Sequence, residues 1–87
     1  MTQSAIPPAQ NLTHRVATEV RAEMARQQVS QRQIGEILGI SQPQVSKRLL
    51  GSLPFDTAEL DKIADAFGVP VDRFLVAASS HTPAGVA

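Results

Sequence analysis

The stretch from Ser30 to Gly51, SQRQIGEILGISQPQVSKRLLG, constrains this chain more than any other part of it. Its apolar residues keep a helical period: Ile34, Ile37 and Leu38 lie at i, i+3 and i+4, and Val45 and Leu49 lie four apart. Gly39 separates the two runs, and glycine reaches a positive φ at little cost, so it can end the first helix sharply. Both runs open on one code. Ser30 with Gln33 and Ser41 with Gln44 have the spacing of a capping box, which satisfies free amides at a helix start. Val29 and Ile40 precede the two serines, placed to staple onto Ile34 and Val45. These local rules agree on two short helices joined by a tight turn.

The same device recurs downstream. Asp56 and Glu59 form a third box, Phe55 can staple onto Leu60, and Pro54 keeps the preceding helix from running on. Leu60, Ile63, Ala64 and Phe67 then trace one helical face up to Gly68. A fifth short helix is expected after Pro70, with Val71, Phe74 and Leu75 on one side. Upstream, Asn11 or Thr13 can cap a first helix to about Gln28, with Leu12, Val16, Val20 and Met24 as its buried stripe. Arg15, Glu19, Arg21, Glu23 and Arg26 lie off that stripe, where Arg15–Glu19 and Glu23–Arg26 spacings offset the Glu19–Glu23 repulsion. His14 is expected at the solvated surface. The predicted fold is all-α, a compact five-helix bundle over residues 12–77, between flexible tails at 1–11 and 78–87. His81 falls in the second tail and receives no role.

A chain of 87 residues supports one small domain, and with aromatics at 3% its core must come from Val, Ile, Leu, Ala and three Phe. The absence of cysteine excludes disulfides and thiolate metal sites. No apolar run approaches a membrane span and no signal peptide is visible, so the default expectation is cytoplasmic. The zero net charge is unevenly divided. Residues 1–51 hold six basic against three acidic side chains, a net +3, and residues 52–87 hold two against five, a net −3. A basic front with an acidic back suits a phosphate-bearing partner. Catalysis is poorly supplied: the histidines stand near opposite ends, no glycine-rich phosphate loop is present, and Ser30 and Ser41 are accounted for as caps. Neither an enzyme activity nor a cofactor is expected.

The pattern S-Q-x-x-I-G-x-I-L-G-I-S-Q-P-x-V-S, from Ser30 to Ser46, resembles the helix-turn-helix family of phage repressors, Cro proteins and Xre-like bacterial regulators. The resemblance resumes at Leu49, Gly51, Pro54-Phe55, Glu59-Leu60, Ile63-Ala64 and Phe67-Gly68-Val69-Pro70, and covers residues 13–77. Two positions depart from it. Gly35 stands where the family more often has alanine. Because glycine inside a helix costs about 1 kcal/mol, Gly35→Ala is expected to be neutral or stabilising. Arg48 stands where many members are apolar, and Leu49 is expected to take over that packing.

The resemblance implies a bundle of the phage-repressor type whose partner is double-stranded DNA, read by the second helix of the pair. The residues present suit that task. One hundred degrees per residue turns Val45 and Leu49 to the core and Lys47 nearly opposite. Glutamine can pair with adenine, lysine can donate to guanine, and the Pro43 ring can touch a thymine methyl. Base reading is expected from Gln42, Pro43, Gln44 and Lys47, and phosphate contact from Gln31, Arg32, Ser41, Ser46 and Arg48. The family's habit also implies two subunits paired on a symmetric operator. The candidate surface is the C-terminal part, with Val71, Phe74, Leu75 and Ala78 together and Leu53 nearby. Because one face there must close the core, a weak homodimer formed mainly on DNA is expected. An antitoxin that binds its own promoter and a toxin is the alternative. It ranks lower because the tails are short and lack an apolar docking helix. A pure protein-interaction module ranks lower still, since positions 42, 44 and 47 are polar, although the apolar Leu50 counts in its favour.

Overall fold

The computed structural model describes residues 11–75, so of the tails expected at 1–11 and 78–87 all but Asn11, the cap of α1, lie outside the described residues, as do Val76 and Ala77. Four helices follow in order: α1 Leu12–Gln27, α2 Gln31–Leu38, α3 Gln42–Leu49 and α4 Thr57–Phe67. Residues 73–75 add the first turn of a fifth, tied by Arg73, Phe74 and Leu75 amides donating to the Pro70, Val71 and Asp72 carbonyls. No strand occurs among the described residues. The all-α bundle is therefore present.

Each start follows local chemistry. Asn11 caps α1 through its Oδ1, which accepts from the His14 amide at 2.9 Å. Reciprocal capping boxes open α2 at Ser30/Gln33 and α4 at Asp56/Glu59. Ser41 caps α3 and Pro43 lies in its first turn, where a missing amide proton costs nothing. Gly39 ends α2 at φ 72°, a left-handed conformation in which a Cβ would be strained.

The core forms where α2 packs on α3 and α4, and α1 on α3. Val20 of α1, Ile34 of α2, Val45 of α3, Ile63 of α4 and Phe74 are the largest fully buried side chains. Each such side chain contributes roughly 1.5–3 kcal/mol through burial. Val29 and Ile40, the expected staples, pack half-buried against this core together with Ile37 and Val71.

Several expectations need correction. Leu12 is 53% exposed and is not part of the buried α1 stripe, since it sits at the first helical position, where fewer neighbours cover it. Leu75 is 39% exposed, so of its face Phe74 alone is fully buried. His14 is half-buried, with its ring against Gly51 so closely that a Cβ there would come within 2.8 Å of Nδ1. The Arg15–Glu19 ion pair does not form among the described residues, and Arg15 Nε is buried without a hydrogen-bond partner. Arginine placed before glutamate is the weaker order for an i, i+4 pair.

Gly35 does lie at the α2–α3 joint, buried, but for a sharper reason than small size. A Cβ there would sit 2.9 Å from the Ile40 carbonyl oxygen and 3.5 Å from Val45 Cγ2. The turn closes onto this residue, since the Gly39 and Ile40 amides both donate to the Gly35 carbonyl, at 2.7 and 3.1 Å. Gly35→Ala therefore pushes on main chain that is already tied down, and the geometry favours a destabilising change over the neutral or stabilising one expected from propensity.

Candidate nucleic-acid interface

Helix α3 presents four strips. Val45 and Leu49 face inward and are buried. On the opposite side Pro43 and Lys47, one turn apart, are both exposed. Gln42 and Ser46 flank that strip on one side, exposed and half-buried respectively, and Gln44 and Arg48 flank it on the other, both half-buried. Ser41 sits at the helix start, its Oγ accepting from the Gln44 amide at 3.4 Å. The helix-turn-helix thus gathers Gln42, Pro43 and Lys47 onto one outward surface. Gln31 and Arg32 are exposed at the start of α2, at the far end from the turn into α3, where Arg32 makes a 3.7 Å surface pair with Glu36.

The cations divide by partner. The Lys47 side chain has neither a hydrogen bond nor an ion pair among the described residues. Arg48, by contrast, is committed inside the fold. Its side chain is 16% exposed, its Nε donates to Glu59 Oε1 at 3.0 Å, and its Nη1 donates to the Gln44 carbonyl and to Gln44 Oε1, both at 3.0 Å. Arg48 is a brace between α3 and α4 in this arrangement, where the sequence suggested a phosphate contact. The capping box expected at Ser41/Gln44 is half-made for the same reason, as the Gln44 side chain turns to Arg48 instead of back to the Ser41 amide.

Three structural roles escaped the sequence reading. Arg21 of α1 donates from Nη1 to the Leu49 carbonyl, fastening the end of α3, where a cation also suits the helix dipole. Glu59 serves two elements at once, accepting from the Asp56 amide at 3.1 Å and from Arg48. Glu23, taken as an off-stripe surface residue, is only 3% exposed. Its carboxylate accepts from Arg26 at 2.7 Å, Gln27 at 2.7 Å and Arg73 at 3.3 Å, and Gln27 donates on to the Phe67 carbonyl. Hydrogen bonds from Gln27 and Arg26 hold this carboxyl below the usual carboxylate range, against the opposing effect of burial. The one signal available was that Glu23 follows Val20 by three residues, on the stripe's edge. Its partner Arg73, fifty positions on, leaves no periodic trace.

No group of three or more His, Cys, Asp or Glu side chains that could hold a metal occurs among the described residues. No helix among them is long and apolar enough to cross a membrane. The sequence matches the BetR domain family over residues 9–86, nearly the whole chain. The chain belongs to the BetR domain family. BetR domains are small helix-turn-helix-type domains, which suggests a DNA-binding regulator and agrees with the geometry of α2 and α3. No curated protein and no solved structure is significantly similar to the chain.

Proposed function

We propose that this BetR domain is a sequence-specific regulator of transcription, of the Cro or repressor kind, that acts in the cytoplasm by occupying an operator and not by chemistry. The observation that carries this is the outward strip of α3. A lysine whose side chain has no partner among the described residues stands beside an exposed glutamine and an exposed proline, while Arg26, Arg48 and Arg73 are held by Glu23 and Glu59. In this reading Gln42, Pro43, Gln44 and Lys47 face base edges, and Gln31, Arg32, Ser41 and Ser46 lie nearer phosphates. One eight-residue helix spans too few base pairs to mark a single genomic site, so two copies are expected on half-sites about 34 Å apart. Leu12, Leu53 and Leu75 remain exposed for such a weak pairing.

The test is selection of bound duplexes from a random library, followed by titration at several salt concentrations. Lys47→Ala should relax particular base positions by about 1–3 kcal/mol. Arg32→Ala should weaken all duplexes alike and lower the salt slope by about one. A base preference left untouched by both Lys47→Ala and Gln44→Ala would remove these two residues from the reading face.

A further inference from the structure

Gln44 is held in one orientation by a group that can only donate. A guanidinium has no acceptor, so the Gln44 amide oxygen, and not its nitrogen, must face Arg48 Nη1 at 3.0 Å. Arg48 is itself fixed by Glu59 at 3.0 Å, and Glu59 by its capping box, with the Asp56 amide at 3.1 Å and its own amide donating to Asp56 Oδ1 at 2.7 Å. A chain of bonds therefore runs from the start of α4 to one side chain of α3. The competing local arrangement, Gln44 turned back to the Ser41 amide, is the one that Gln33 adopts toward Ser30 at 2.8 Å. It is absent at Gln44 because a charged donor offers the oxygen a stronger bond than a neutral amide does.

Resting on the reading of α3 as a DNA-contacting helix, we infer that Arg48 and Glu59 are positioning residues that make Gln44 a donor, with its two N–H groups turned outward. Bidentate adenine recognition needs the amide oxygen and nitrogen side by side on the base edge. Here the oxygen is drawn toward the α4 side of the helix. Gln44 then selects acceptor edges, guanine N7 and O6 or thymine O4, and not the mixed edge of adenine.

The experiment is duplex selection with the wild type and three variants, with thermal melts run alongside. The position that Gln44→Ala relaxes should carry guanine or thymine in the wild type, preferred by about tenfold. Gln44→Glu keeps an acceptor for Arg48 but removes the donors. It should shift that one position toward cytosine, whose N4 donates, while the melt stays as it was. Arg48→Met frees the amide and should admit adenine at the same position, leaving those read by Lys47 unchanged. Adenine at that position in the wild type overturns the inference, as does an unaltered preference in Arg48→Met or no relaxed position in Gln44→Ala. A wild type that enriches no duplex at all would instead overturn the DNA-binding reading, and this inference with it.

Discussion

Helix α2 begins Ser30-Gln31-Arg32-Gln33 and helix α3 begins Ser41-Gln42-Pro43-Gln44, and each runs eight residues. By local rules they are equivalent. In α2 the box closes, with the Gln33 amide 3.1 Å from Ser30 Oγ and the Gln33 side chain 2.8 Å from the Ser30 amide. In α3 the serine bond is 3.4 Å and the glutamine leaves for Arg48. What differs is the surroundings. Gln33 is exposed and sees only its own turn, whereas Gln44 is half-buried beside a guanidinium that Glu59 anchors. A local motif predicts the bonds a side chain can make, and the neighbours brought by the fold decide which one it does make.

The largest expected effect breaks the anchor of α3. Glu59→Ala removes the acceptor for Arg48 and one half of the α4 box in a site where both side chains are about 15% exposed, so it should destabilise the domain by about 2 kcal/mol in denaturant melts. Gln33→Ala, which removes half of the α2 box alone, should cost about 0.5 kcal/mol. Equal losses would mean that the α3 brace contributes nothing beyond capping.

A smaller change strikes the joint between the two helices. Gly35→Ala gains about 1 kcal/mol of helix propensity but forces main chain apart at 2.9 Å, and overpacking of this kind costs about 1–3 kcal/mol. A net loss near 1 kcal/mol is expected, read as a lowered melting temperature. A variant that melts higher than the parent would show that the turn gives way freely.

The smallest effect compares the two caps directly. Ser30→Ala should cost about 1 kcal/mol and Ser41→Ala about half of that, because the first loses a short bond and unmakes a closed box, and the second loses a long one. Paired chemical melts resolve the difference, and a reversed order would remove the contrast between the helices.

The sequence by itself determined the starts of α2, α3 and α4, since caps at Ser30, Ser41 and Asp56 and the left-handed turn at Gly39 depend on residues no more than five apart, while for α1 it left Asn11 and Thr13 both open. It also determined the inward faces of α2, α3 and α4, because period alone separates Ile34, Val45 and Ile63 from their polar neighbours. The outward placement of Pro43 and Lys47 followed from that same period, and that of Gln42 from its place at the start of α3. Local spacing gave the Glu23–Arg26 pair, but the tertiary structure alone decided the distant partners of the charged side chains. Arg48 meets Glu59 eleven positions away, Arg21 meets Leu49 across twenty-eight, and Arg73 meets Glu23 across fifty, and none of these separations repeats at a helical spacing. The same holds for Gly35 under Ile40 and His14 against Gly51. A charge or a glycine is read from sequence as a capacity. Which capacity is used depends on what stands within about 3 Å once the helices pack, and that distance is a property of the whole fold.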